Sequence, residues 1–207
     1  MSKIRVKRIF NPIIKKTAKM LAKTPITPNT LTLASLLMLI FASLLIVYEQ
    51  LVIGGVLIFI GGFLDGLDGE LARITNKITK TGAFLDSVVD RCGDLALLLG
   101  FLFLSEIKIL VNFEYWIILT MIGTFMTSYA RAKGEALRVK ETNIGLMARS
   151  ERLFTLFLAC ELSILNSNIP AYTIVALAFL TNITAFHRIY LIGKQLNQQY
   201  SIYKQKH

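Results

Sequence analysis

Residues 51–105 read LVIGGVLIFIGGFLDGLDGELARITNKITKTGAFLDSVVDRCGDLALLLGFLFLS, and the order of properties along this stretch decides the fold. Leu51 to Leu64 carry no charge; Asp65 and Asp68 then appear before a polar break around Asn76–Lys80. The chain returns through Asp86, Asp90 and Asp94 into a second apolar run ending near Ser105. Each arm is long enough to cross a bilayer, which takes roughly 20 residues of helix. The stretch therefore reads as two spans, 51–75 and 81–105, joined by a short turn with carboxylates on both sides of it.

Working outward, the same reading gives spans at 29–48, 114–138, 150–166 and 170–195, six in all. The chain of 207 residues is 54% apolar with a mean hydropathy of +0.58, above ordinary soluble composition. The expected architecture is an all-α membrane protein, a single domain over 1–207. Ahead of the first span, Asn11-Pro12 has the form of an N-cap followed by proline at the first helical position. From there to Lys23, Ile13, Ile14, Ala18 and Leu21 share a face, and Lys15, Lys16, Lys19 and Lys23 take much of the rest. That pattern predicts an amphipathic interfacial helix over 11–23. Thr24 to Pro28 breaks it, and Pro28 opens the next helix. No cleavable signal is visible. Cys92 and Cys160 make neither a disulfide framework nor a metal-site spacing. The last dozen residues are polar and are expected to fray.

The net charge is +10, and its distribution sets orientation. Eight basic residues lie between Lys3 and Lys23. Arg73, Lys77 and Lys80 flank the 2–3 loop, and Arg131, Lys133, Arg138, Lys140, Arg149 and Arg152 flank the 4–5 loop. Arg188, Lys194, Lys204 and Lys206 lie at or beyond the end of the sixth span. The opposite loops hold Lys108 beside Glu49, Glu106 and Glu114. Positive-inside bias places both termini in the cytoplasm. With no basic-plus-aromatic recognition motif, this charge points to topology and anionic ligands, and no nucleic-acid partner is expected.

All five aspartates fall between Asp65 and Asp94. On helices, Asp65 and Asp68 share one face, as do Asp86, Asp90 and Asp94. Asp65 lies roughly 20 Å from the outer end of its span and Asp90 roughly 13 Å from the cytoplasmic end of its own, so the two sets can meet. So many carboxylates at membrane depth need compensation. A divalent cation provides it, and hard oxygen ligands select magnesium, calcium or manganese over zinc. Ion pairs with Arg73 and Arg91 are the structural alternative, and a divalent-cation transporter is the alternative outside catalysis. Gly66, Gly69 and Gly82 leave backbone open among the carboxylates, Ala72 keeps its face small, and Arg73 offers a fork for phosphate oxygens. This combination fits a phosphate-ester site better than an ion pore. Gly61, Gly62 and Gly100 read as close helix packing.

Written out, Asp65-x2-Asp68-Gly69-x2-Ala72-Arg73-x8-Gly82-x3-Asp86-x3-Asp90 matches the signature of the CDP-alcohol phosphotransferase family at every fixed position. Pro28-Asn29-Thr30-Leu31-Thr32 and the six-span layout also resemble that family. The resemblance implies two magnesium or manganese ions held by Asp65, Asp68, Asp86 and Asp90 against a CDP pyrophosphate. It implies that Asp90 is also the general base for the acceptor hydroxyl. Asp65, Gly69, Ala72, Arg73 and Gly82 would contact the nucleotide, and the enzyme would be a homodimer.

Ser128-Tyr129-Ala130-Arg131-Ala132-Lys133-Gly134-Glu135 and Ser150-Glu151-Arg152-Leu153 resemble one branch, the phosphatidylinositol phosphate synthases and their archaetidyl counterparts. This implies a CDP-linked lipid donor and inositol phosphate as acceptor, with Arg131, Lys133, Arg152 and Arg188 binding the acceptor phosphate. Arg188 is carried over by its place on the last span. Glycerol phosphate as acceptor, or CDP-inositol as donor, would use the same chemistry. Asp94 reads equally as an acceptor contact or as a partner of Arg91, and Glu161 as an interhelical hydrogen bond. Tyr115 and Trp116 read as an outer-interface belt.

Overall fold

The computed structural model describes residues 6–104, 108–109, 111–139, 142, 145 and 147–206. Lys3, Arg5, Ser105, Glu106 and Lys140 lie outside the described residues, as do the side chains of Lys7, Arg8, Lys108, Lys204 and Lys206. Among the described residues seven helices carry the architecture: α1 (Val6–Leu21), α2 (Pro28–Val47), α3 (Leu51–Ile74), α4 (Lys80–Phe101), α5 (Phe113–Ala136), α6 (Arg149–Leu162) and α7 (Ile169–Lys206). The only departure from all-α among the described residues is a two-residue antiparallel pair, β1 (Lys108–Ile109) with β2 (Val111–Asn112).

The helix-forming signals are local. Thr27 caps α2 by accepting from the Thr30 amide, with Pro28 at the first helical position. Thr79 caps α4 in the same way, its Oγ1 accepting from the Gly82 amide at 2.9 Å. α2, α3 and α5 each end on a left-handed residue, Glu49, Asn76 and Arg138. The following amides close back onto the helices, as in Lys77 N to Ala72 O at 2.9 Å. At the end of α3 this stop, followed within four residues by the Thr79 cap, folds α4 back and brings Asp86 and Asp90 toward Asp65 and Asp68.

α2 packs against both α3 and α4, α5 against α7, and α6 against α3 and α7, with α1 lying along α3. Small residues set how closely these helices approach. A Cβ on Gly100 would stand 2.7 Å from the Ser43 carbonyl oxygen, and one on Gly61 3.1 Å from Leu39 Cδ2. Hydroxyls then bridge helices where water is absent: Ser35 Oγ donates to Gly61 O at 2.8 Å and Ser43 Oγ to Ala96 O at 2.6 Å. The main core runs through Leu39, Ile58, Leu97, Phe101, Ile117, Leu156 and Leu177.

Several expectations change. α1 starts at Val6, so Pro12 is inside it and Asn11 is not its cap. Phe10 packs against Phe59 and Phe154, at 5.6 and 6.0 Å between ring centroids, and these contacts hold the turn before the proline in helical form. Ile14, Ala18 and Leu21 pack with Leu67 and Leu71 of α3, while Ile13 is 55% exposed rather than part of that face. α7 continues helically to Lys206 instead of fraying after 195. Among the described residues three helices are long and apolar enough to cross a membrane: Pro28–Val47, Leu51–Ile74 and Ile169–Gln199. α4 carries too many charges, and α6, at 14 residues, spans only about 21 Å.

Candidate active site

The carboxylates of α3 and α4 converge. Asp65, Asp68 and Asp86 each place one oxygen within 4.8 Å of the others. Asp68 is the most enclosed of the three, 5% exposed, and its Oδ2 accepts the Thr32 hydroxyl at 2.5 Å. Such mutual proximity of like charges is unfavourable unless a cation is shared. The donor set is entirely hard oxygen, so it is compatible with magnesium, manganese or calcium and poorly suited to zinc.

Positive charge reaches this cluster from α6, and not from Arg73 and Arg91, the arginines of the structural alternative. Arg149 Nη1 lies 2.5 Å from Asp65 Oδ1 and 2.8 Å from Asp90 Oδ1, and its Nε donates to Asp94 Oδ1 at 3.3 Å. Arg152 Nη2 donates to Asp94 Oδ2 at 2.5 Å. Arg73 instead pairs with Glu70, and Arg91 donates to the Ser87 carbonyl one turn back. Asp94 therefore belongs to the α6 arginines and not to Arg91. Arg149 is the residue that sequence reading missed: it was counted for orientation, while its contacts span 55 residues and more.

These groups open onto a cavity of about 360 Å³, within the range of small-ligand sites. Its polar end is formed by Asp65, Asp68, Asp86, Asp90, Arg149 and Arg131. Its other end is apolar, walled by Phe10, Phe59 and Phe154 from α1, α3 and α6. Gly69 and Arg73 lie on its rim, and a Cβ on Gly69 would meet nothing nearer than Arg73 Nη2 at 3.7 Å. Gly66 borders the cavity too, but its missing side chain makes room for Ile14 Cδ1, 2.8 Å from where a Cβ would stand. Gly82 serves the Thr79 cap, and neither it nor Ala72 lines the cavity.

The four basic residues assigned to the acceptor divide. Arg131 lines the cavity, with its Nε on Glu135 at 2.8 Å, and Lys133 is exposed two residues further along α5. Arg152 and Arg188 are buried, 4% and 2% exposed; Arg188 Nη1 donates to the Thr127 carbonyl at 2.6 Å. Glu161 lies apart on α6, where its Oε1 is buried without a hydrogen-bond partner.

Residues 25–190 match a family model described as CDP-alcohol phosphatidyltransferase. Over 197 residues the chain is 36% identical to the archaetidylinositol phosphate synthase of Pyrococcus horikoshii, covering 95% of this chain and 98% of that one. It is 36% identical over 176 residues to the bifunctional IPC transferase and DIPP synthase of Aquifex aeolicus, covering 82% of this chain and 39% of that protein. The fold matches the crystal structure of the Mycobacterium tuberculosis phosphatidylinositol phosphate synthase with CDP-DAG bound, at a TM-score of 0.74 and 23% identity over 87% of this chain and 94% of that one. The structure of the same enzyme in complex with manganese and citrate also gives a TM-score of 0.74, at 23% identity over 86% of this chain and 88% of that one.

Proposed function

Because the chain belongs to the CDP-alcohol phosphatidyltransferase family, we propose that it transfers the phosphatidyl- or archaetidyl-type group of a CDP-linked lipid to inositol phosphate, releasing CMP. The observation that carries the acceptor is likeness along nearly the whole chain to an archaetidylinositol phosphate synthase. The cavity supports it by joining an apolar end suited to lipid with a polar end that holds four aspartates and Arg131.

Asp65, Asp68, Asp86 and Asp90 would hold two magnesium or manganese ions. Divalent ions bound there would neutralise charge on the pyrophosphate and on the departing CMP. The acceptor hydroxyl oxygen bonds to the phosphorus that carries the lipid, and the pyrophosphate P–O bond breaks with its electron pair leaving on CMP. Asp90 takes the hydroxyl proton; its buried Oδ1 lies 2.8 Å from Arg149 Nη1, and the residue lines the cavity. Asp65, Gly69 and Arg73 would face the nucleotide from the cavity wall, and Ala72 and Gly82 would contribute from outside its lining. Arg131 would bind the acceptor phosphate from the cavity wall with Lys133 near it, and Arg152 and Arg188 would contribute as buried charges behind that wall.

Six spans, a lipid-facing α1, both termini and the site on the cytoplasmic side of the cell membrane, and a homodimeric assembly complete the reading. The orientation rests on the lysine and arginine bias of the loops. A second reading, with CDP-inositol as donor, draws on the Aquifex aeolicus relative; glycerol phosphate as acceptor would also suit the same cations. The test is an acceptor screen with purified protein, a CDP-lipid and Mg²⁺. CMP release selective for inositol phosphate supports the proposal, and selectivity for glycerol phosphate overturns it. Metal flux into vesicles without CMP release from any CDP donor would establish a transporter instead.

A further inference from the structure

We propose that Arg149 is the resident counter-cation of the aspartate cluster, yielding Asp65 and Asp90 to divalent metal while remaining tethered to Asp94. The inference rests on the metal-binding reading given above. It starts from the two unlike ends of one guanidinium. At Nε, Arg149 donates a hydrogen bond to Asp94 Oδ1. At Nη1 it lies 2.5 Å from Asp65 Oδ1 and 2.8 Å from Asp90 Oδ1, so one buried nitrogen is shared between two carboxylates. That end rests on carboxylates that a metal ion would claim, while the Nε end rests on Asp94, outside the metal-compatible group, so Nη1 is the end that metal displaces.

Asp65 belongs to both sets. It stands within 4.8 Å of Asp68 and Asp86, and it is also the nearest carboxylate to Arg149 Nη1. A dication and a guanidinium on one carboxylate repel strongly where water is scarce. Asp94 lies outside that competition. Its Oδ1 accepts from Arg149 and its Oδ2 from Arg152, which is itself only 4% exposed. The guanidinium can therefore pivot about Nε into the cavity that Arg149 already lines. The exchange keeps membrane-embedded carboxylates compensated with or without metal, a condition that an uncompensated buried cluster would fail.

The test measures Mn²⁺ binding by electron paramagnetic resonance on the full-length protein in detergent, without substrate. Arg149→Gln should bind Mn²⁺ at least tenfold more tightly than the unaltered chain. Arg149→Lys, which keeps the charge, should stay close to it. Unchanged or weaker binding by Arg149→Gln overturns the inference. A second measurement needs no variant: phenylglyoxal labelling of the unaltered chain, mapped by mass spectrometry. Mg²⁺ should raise labelling of Arg149 several-fold while Arg152 stays protected, and no rise overturns the inference. If the unaltered chain binds no Mn²⁺ at all, the metal-binding reading itself falls, which is a distinct result from binding that Arg149 does not affect.

Discussion

The Thr32 hydroxyl of α2 donates to Asp68 Oδ2 of α3 across 2.5 Å, and both residues are buried. The bond fixes one of the clustered carboxylates from a third helix, so α2 takes part in the site without carrying any acidic residue. Thr32→Val keeps the shape and removes the donor. Leaving a buried acceptor unsatisfied costs about 1–3 kcal/mol. The expected outcome is a lower melting temperature in detergent together with reduced CMP release.

Asp90→Asn should remove proton acceptance while preserving size. Turnover is expected to fall about 10²–10⁴-fold, the ordinary contribution of a positioned general base. Binding of the CDP-lipid, followed by calorimetry, should largely survive. Unchanged turnover would show that another group accepts the proton.

Chelation should abolish activity and leave the fold intact. The hard carboxylate donors predict recovery with Mg²⁺ or Mn²⁺ and poor recovery with Zn²⁺. CMP release before chelation, after it and after each metal is restored is the measurement. Activity that persists in excess chelator would sink the metal requirement.

Arg131 and Arg152 should separate by phenotype, because one faces the cavity and the other is buried against Asp94. Arg131→Ala is expected to raise the KM for inositol phosphate about tenfold or more with little change in stability. Arg152→Ala leaves the buried Asp94 with Arg149 alone and should lower the melting temperature measurably. Steady-state kinetics and thermal melts on both variants decide this, and two identical profiles would contradict it.

Gly100→Val tests the closeness of α4 to α2. A Cβ there would sit 2.7 Å from the Ser43 carbonyl oxygen and 2.8 Å from Ser43 Cα, so backbone must move. Overpacking of this kind costs about 1–3 kcal/mol. A melt that does not shift would mean that the helices separate freely.

Much of the molecule was legible in its residues. Pro28 marks the start of α2 because proline's preference for the first helical turn is a local property. The spacing of Asp65 with Asp68, and of Asp86 with Asp90 and Asp94, places each set on one face because the helical repeat is fixed. What escaped notice depends on contacts distant in the chain. Pro12 looked like a helix start because its support, the packing of Phe10 on Phe59 and Phe154, comes from other helices. Arg73 and Arg91, near the aspartates in sequence, turn to Glu70 and to the Ser87 carbonyl.

The sequence by itself determined that five aspartates would lie on two adjoining helices in an apolar chain, with the residue types a hard metal ion and a nucleotide diphosphate require. Helical periodicity and hydropathy suffice for that, since both act over a few neighbouring residues. Only the tertiary structure decided which cations answer those carboxylates. Arg149 and Arg152 do so, and Arg131 is left lining the cavity, because α6 packs against α3 and its first turn reaches the cluster. Helix-to-helix docking is set by summed packing over whole faces, and no local spacing encodes it.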